Sequence, residues 1–304
     1  MCISVYSMLS RKNGIILIDK PAGISSAGVV ARVKRALQAA RVGHAGTLDP
    51  DATGLLIVLI NGATRVASYA ADGWKVYSGE IQLGVTTSTD DIAGNVLSTQ
   101  EVTADFSSIS AAAANLRGRI MQYPPKVSAK KLDGKRAYKL HRAGQDFELE
   151  PREVHVRRFE LAPTNDPTTV SYITEVSPGT YVRSLARDLG ATLSCGGAVK
   201  TIRREQSGYF SVSDAITLDQ VSWDLLRDWS ELVPSMPRVV LSAQVVSGLQ
   251  NGQKKALIQA WQECNLIEPI SDYVVYSRKD EFGSLGILEV IPQGGFAFSL
   301  NIGH

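Results

Sequence analysis

Apolar and polar positions alternate with two different periods along this chain, and the two periods predict a mixed α and β protein. "GIILIDKPAGISS" opens on a near-continuous apolar run, which predicts a buried strand, followed by a Lys-Pro turn. Ser25 or Ser26 is then placed to cap a helix, "SAGVVARVKRALQAA". Val29, Val30, Val33 and Leu37 form its apolar stripe, with Arg32, Lys34, Arg35 and Arg41 off it. "LLIVLINGATR" predicts a fully buried strand ended by Asn-Gly. "WKVYSGEIQLG" predicts another strand, leading into the polar loop "VTTSTDDIAG". "VHVRRFELA" and "TTVSYITEV" read as two more strands, and "PGTYVRSLARDLGATL" turns into a helix. After "GYF" the segment "LDQVSWDLLRDW" reads as helical up to the break "ELVPSMPRV". The remainder holds one helical segment and the strands "YVVYSR", "GSLGILEVI" and "FAFSLNI". The expected division is a large domain over 1–232 and a small β-rich domain over 233–304. There is no internal repeat and no low-complexity segment.

Composition narrows the class of protein. With 304 residues, 44% hydrophobic and 20% charged, the chain has the balance of a soluble globular protein. No apolar stretch is long enough to span a bilayer. The start, "MCISVYSMLSRKNG", lacks the charged-then-apolar order of a secretory signal, and organised pattern begins near Asn13. Cys2, Cys195 and Cys264 are odd in number and scattered, which suits a reducing cytoplasm. His44, His141, His155 and His304 form no close ligand pair, so no metal site is expected. A net charge of +2 indicates no partner by itself, so nucleic-acid binding would have to come from local clustering.

One cluster qualifies. Arg117, Arg119, Lys126, Lys130, Lys131, Lys135, Arg136, Lys139 and Arg142 are opposed only by Asp133, with Tyr123 and Tyr138 interleaved. A solvated surface loop with a helix has the same composition, so charge alone does not decide between loop and RNA grip. A second local feature is "RVGHAGTLDPDATGLL", where Gly43, Gly46 and Gly54 surround Asp49 ahead of a long apolar run. The ordinary role for an aspartate in such a turn is to bond its own backbone. "DPDAT" also fits the Asp-x-Asp-x-Thr pattern of aspartyl-phosphate phosphatases, with "TDD" at 89–91 mimicking their magnesium-binding acids. The order argues against that class: here the apolar strand follows the aspartate, and the acidic pair comes too soon after it.

"GHAGTLDPDATGLL" resembles the catalytic motif of the TruB family, the tRNA pseudouridine synthases that act on the T-loop uridine. The resemblance extends through "DKPAGISS", "KVYSGEIQLGVTTSTDDIAG", "YPPKVSAKKLDGKRAYKLHRAG" and "SPGTYVRSLARDLG" to "IRREQSGYF", in the family's order. Asp51 departs from the pattern, standing where the family carries an apolar residue. The C-terminal segment matches the family's PUA-like domain loosely, through "LQNGQK".

The resemblance implies an α+β pseudouridine synthase fold with a mixed, largely antiparallel sheet and a small PUA-like domain. It implies that Asp49 is the catalytic carboxylate, acting by addition to C1′ or by abstraction of a ribose proton; both routes stay open. Arg183 in "GTYVRSL" would pair with that acid, and Tyr77 in "KVY" would stack on the uracil. Tyr181 and Ile202, the latter in place of a usual leucine, would line the pocket. Lys20 and Pro21 would support the active-site loop, and His44 would fill the space left by extruded bases. The motif glycines would let the backbone approach the flipped nucleotide. The segment over 117–152 would be an RNA-gripping insertion, with Lys130, Lys131, Lys135 and Arg136 on phosphates. The expected partner is tRNA, through its T-arm stem-loop, and the expected state is a cytoplasmic monomer without cofactor. The competing readings are a guide-RNA-dependent relative, a non-catalytic RNA-binding or RNA-folding protein, and the phosphatase.

Overall fold

The computed structural model describes residues 12–125, 131–132, 135–136, 149–264, 272–277, 284–290 and 296–301. Its large sheet has nine strands. The path through it runs β1 (Gly14–Lys20), β3 (Thr53–Ile60), β12 (Gly197–Ser207), β4 (Lys75–Leu83), β11 (Thr169–Val176), β10 (Arg152–Pro163) and β7 (Gly118–Gln122). Off that path, β2 (Val42–Ala45) pairs with β3 and β13 (Phe210–Ser211) with β12. Among the described strands of this sheet only the β3–β12 pairing is parallel, at Arg203 opposite Thr53 and Arg204 opposite Gly54. The sheet is therefore mixed and largely antiparallel.

Why β1 and β3 read as continuous apolar runs is visible in their packing. Ile16, Ile18, Leu56, Val58 and Ile60 enter one core cluster, and Ile15, Leu17, Leu55, Ile57 and Leu59 enter the other. A strand covered on both faces has no polar side to alternate with. The helix α1 (Ser26–Leu37) closes the first face with Val29, Val33 and Leu37. Its cap is Ser25, whose hydroxyl accepts from Gly28 N at 3.0 Å, a bond of about 1 kcal/mol in such positions. The helix stops at Leu37 because Gln38 takes a left-handed conformation at φ 49°. On the second face lie Trp229 and Leu232, with Val274 and Ile287 from the small C-terminal sheet.

Two segments differ from their sequence patterns. The apparent helix "LDQVSWDLLRDW" is three separate 3-10 turns, at Leu218–Gln220, Trp223–Leu225 and Trp229–Leu232. The flanking backbone is committed elsewhere: Ile15 and Arg227 exchange both hydrogen bonds at 2.9 Å, and Ile216 bonds to Leu17 and Asp19. This stretch covers the open edge of β1, and its backbone groups cannot also close helical turns. The loop after β4 likewise contains a short hairpin, β5 (Val85–Thr87) with β6 (Val96–Thr99).

The C-terminal region forms a separate four-stranded sheet, β14 (Arg238–Leu241), β15 (Tyr273–Ser277), β16 (Ser284–Val290) and β17 (Phe296–Asn301). It carries two helices, Ala243–Gln250 and Lys254–Cys264, where the pattern predicted one. Asn251 and Gly252 divide them, Gly252 sitting at φ +70°. Among the described residues no helix is long and apolar enough to cross a membrane.

Candidate active site

Asp49 is set in its loop from behind. On one side of it Ser26 Oγ donates to Leu48 O and accepts from Leu48 N, both at 2.9 Å. On the other, Lys20 Nζ donates to Pro50 O at 2.8 Å and Gly23 N to the same carbonyl at 3.0 Å. Lys20 also holds Ile24 O at 2.7 Å and Pro21 O at 2.9 Å, and it is fully buried. Burial lowers its pKa to about 8, against the charges of Asp51 and Asp49, which raise it. All three ammonium donors are used on carbonyls, so Lys20 acts as an anchor beneath the loop. Asp51, exposed, is the larger of the two counter-charges to it.

Arg204, the inward member of the "RR" pair on β12, fixes the loop from the sheet side. Its Nε donates to Leu55 O at 2.7 Å and its Nη2 to Gly46 O at 3.0 Å, with 1% of the residue exposed. The motif glycines serve this approach. A Cβ on Gly54, at φ +96°, would lie 2.3 Å from Arg204 O, and one on Gly46, at φ +72°, 3.2 Å from Arg204 Nη1. The close contact at these two glycines is therefore with the chain's own strand rather than with open space. Arg203 points the other way and makes a bidentate pair with Asp19 at 3.0 and 2.8 Å.

The loop presents Asp49 to a cleft of about 380 Å³. Tyr77 from β4, Tyr181, Ile202 from β12 and Arg183 line the same cleft. Arg183 stands in the first turn of a helix over Val182–Thr192, here α4 (the short helix Ala67–Ala71 is α2 and Phe106–Asn115 is α3). Arg183 Nη2 lies 2.9 Å from Asp49 Oδ2. Burial raises the Asp49 pKa above the ordinary carboxylate value; Arg183 opposes this, and Asp91 adds to it. Tyr181 caps α4 and is clamped by buried Gln122, whose Oε1 accepts from Tyr181 N at 2.8 Å and whose Nε2 donates to Tyr181 O at 3.1 Å.

The "TDD" segment has a role its sequence did not reveal. Arg183 Nη1 donates to Thr89 O at 2.9 Å and lies 3.4 Å from Asp91 Oδ2, while Arg187 Nη1 pairs with Asp90 at 3.0 Å. The two acids that imitate magnesium ligands are thus paired with the arginines of α4. Among the described residues no group of three His, Cys, Asp or Glu side chains is arranged to hold a metal. The spacing of Arg183 and Arg187, one helical turn apart, was the available signal.

Lys75 was also missed. It lines the cleft, is 6% exposed, and donates to Ala71 O and to Gly73 O, the latter at 2.6 Å. Burial lowers its pKa to about 8. Its place two residues before Tyr77 puts both on one face of β4. His44 sits on β2 opposite Val58, away from the cleft lining, and its Nδ1 is buried without a hydrogen-bond partner among the described residues. Burial and the charge of Arg204 lower its pKa.

In the basic segment, β8 (Lys131–Leu132) pairs with β9 (Lys135–Arg136), Lys131 opposite Arg136. Lys130 and residues 137–148 lie outside the described residues. The root of the segment is fixed to α4: Tyr123 O accepts from Ser184 Oγ at 2.8 Å and from Arg187 Nη2 at 2.9 Å.

Comparison with known proteins identifies the family. Residues 34–182 match the TruB family pseudouridylate synthase N-terminal domain, and residues 183–240 the tRNA pseudouridylate synthase B C-terminal domain. The chain is 42% identical to the tRNA pseudouridine synthase B of Ruegeria pomeroyi, over 79% of this chain and 82% of that protein. With the protein of that name from Ehrlichia ruminantium the identity is 45%, over 79% and 85%. Among solved structures, the Cbf5-Nop10-Gar1 complex aligns with a TM-score of 0.67 at 22% identity, covering 97% of this chain and 86% of that one. That likeness is one of fold. The chain belongs to the TruB family of pseudouridylate synthases.

Proposed function

We propose that the protein converts the T-loop uridine of tRNA to pseudouridine, with Asp49 as the catalytic carboxylate. The observation that carries this reading is the Asp49–Arg183 pair inside a cleft shared with Tyr77. Isomerisation breaks uracil N1–C1′, turns the base and joins C5 to C1′; C5 loses a proton and N1 gains one. The work left to the protein is to supply an anion at the sugar, hold the detached base and accept the C5 proton. Asp49 supplies the anion, and Arg183 keeps it ionised against burial. Tyr77, Tyr181 and Ile202 offer the walls for the base. The uridine reaches the cleft by extrusion from the loop, at about a few kcal/mol.

The family relatives at 42% and 45% identity carry the name tRNA pseudouridine synthase B, which favours tRNA over a guide-RNA-directed substrate. We take 1–232 as the catalytic unit, with the basic segment gripping the T-arm, and 233–304 as the appended PUA-like unit. Mapping pseudouridine in unmodified tRNA after incubation with the purified protein tests the assignment. Conversion at the T-loop, unaffected by EDTA, is the expected result. Magnesium-dependent phosphate release from a phosphomonoester, without conversion, would overturn it.

A further inference from the structure

Among the described residues, three cations and two carboxylates line the catalytic cleft: Lys75, Arg183 and Arg204 against Asp49 and Asp72. Arg183 answers Asp49 at 2.9 Å, and Arg204 is held by the carbonyls of Leu55 and Gly46. Asp72 is exposed, whereas only 6% of Lys75 is. We propose that Lys75 is a catalytic residue whose ammonium stabilises the uracil anion formed when N1–C1′ breaks. The inference rests on the isomerase reading of the same cleft and adds to it a group acting on the base rather than the sugar.

Three observations point to that partner. Lys75 stands two residues before Tyr77 on β4, whose alternation puts both on one face, and Tyr77 is the wall proposed for the base. An ammonium has three donors; Lys75 directs two at Ala71 O and Gly73 O, and no partner among the described residues takes the third. The site is also enclosed. Burial and the charge of Arg204 lower the Lys75 pKa to about 8 although Asp72 raises it, so the ammonium is intact at neutral pH but short of a counter-charge. A phosphate brings its charge before reaction and must lose its water to reach such a cation. Uracil enters neutral and becomes an anion only as the bond breaks, so the cation favours the transition state over the bound substrate.

The electron balance closes without a proton from Lys75. The N1–C1′ pair leaves with uracil, which then carries one negative charge. On the sugar, either C1′ bonds an Asp49 oxygen or a ribose proton passes to Asp49. The base next supplies an electron pair from C5 to C1′, as C1′ releases Asp49 or the sugar regains its proton. C5 then loses a proton and N1 gains one. Lys75 keeps its own proton throughout and contributes charge alone.

Single-turnover rates and binding titrations on a T-arm stem-loop test this, with uridine or 5-fluorouridine at the target. Fluorine at C5 acidifies N1, so the departing base needs less stabilisation. Lys75→Gln keeps amide donors for the two carbonyls and removes the charge. At neutral pH it should slow N1–C1′ cleavage, read as loss of the starting nucleoside, roughly tenfold to a hundredfold on uridine and at most about threefold on 5-fluorouridine. The dissociation constant should stay within about threefold of wild type, since the charge acts on the transition state. The wild-type rate on uridine should fall as pH rises through about 8, and Lys75→Arg should move that fall upward. An equal penalty on both RNAs would make Lys75 a support for the turn at Ala71 and Gly73, and a loss confined to affinity would make it a phosphate contact; either result overturns the proposal. Should Lys75→Gln not fold, a wild-type rate that stays flat as pH rises through about 8 overturns it alone. Absence of any wild-type conversion of the uridine stem-loop would count against the isomerase reading instead.

Discussion

Arg183 and Asp49 meet at 2.9 Å but are unequally enclosed: 8% of the arginine side chain is exposed and 50% of the aspartate's. The cation is fixed in the wall, and the anion faces the cleft. Removing the cation, as in Arg183→Met, should reduce kcat by roughly a hundredfold or more, the scale of losing one oriented charge partner. It should also move the acid limb of the pH–rate profile upward. Burial already raises the Asp49 pKa and Arg183 opposes it, so without Arg183 the carboxylate stays protonated to higher pH. An acid limb unmoved in kcat/KM profiles would show that Asp49 ionisation does not control the rate.

Asp91→Asn should move the same limb in the opposite direction. Asp91 adds to the rise in the Asp49 pKa and competes for Arg183 through Nη1 at 3.4 Å. Neutralising it lowers the pKa of Asp49 and leaves the arginine to one carboxylate. Profiles of the two variants measured side by side give the sign of each shift, and shifts of the same sign would refute the arrangement.

Asp49→Asn should abolish isomerisation while leaving tRNA affinity within about tenfold, since the amide keeps the shape and loses the anion. Pseudouridine mapping and a binding titration on the same preparation measure both. Substantial turnover by this variant would remove Asp49 from its role.

Lys20→Met tests the anchor beneath the loop. In the folded protein the lysine pKa is lowered to about 8, from 10.5. Below pH 8 both folded and unfolded chains hold the proton, so the stability difference from Lys20→Met is flat. Between about 8 and 10.5 the unfolded chain binds more protons, so wild-type stability rises relative to the variant. Urea unfolding at several pH values reads that difference; a flat line across the window would place Lys20 in an ordinary solvated environment. The variant should also lose kcat, because Pro50 O loses its 2.8 Å donor next to Asp49.

Replacing Lys130, Lys131, Lys135 and Arg136 with alanine should weaken tRNA binding and flatten its salt dependence. Each lost phosphate contact should lower the log–log slope by roughly 0.7 to 0.9. The chemical step on saturated complex should change less, because these residues lie outside the Asp49 loop, Tyr77 and Arg183. Equal slopes and affinities for wild type and variant would make the segment plain surface.

Periodicity by itself was enough to locate β1, α1, β3, β4, β10, β11 and α4, because each buries a regular face or both faces and so leaves a repeating apolar pattern. The ordered motifs likewise identified the family and pointed to Asp49, Tyr77, Arg183, Tyr181 and Ile202, which the fold gathers around one cleft. Other parts were decided only in three dimensions. The stretch after Phe210 has a helical composition, yet the free edge of β1 takes its backbone hydrogen bonds and breaks it into 3-10 turns. Asp90 and Asp91 look like metal ligands until α4 brings Arg187 and Arg183 to them across more than ninety residues of sequence. Lys20, Lys75 and Arg204 are charged residues in strands, where composition alone predicts exposure. They are buried where backbone carbonyls of the Asp49 loop and its neighbours converge, and a long cationic side chain reaches them as a donor. Local pattern records which face of an element is apolar; which carbonyls are left needing a donor depends on how the loops meet, and only the assembled sheet fixes that.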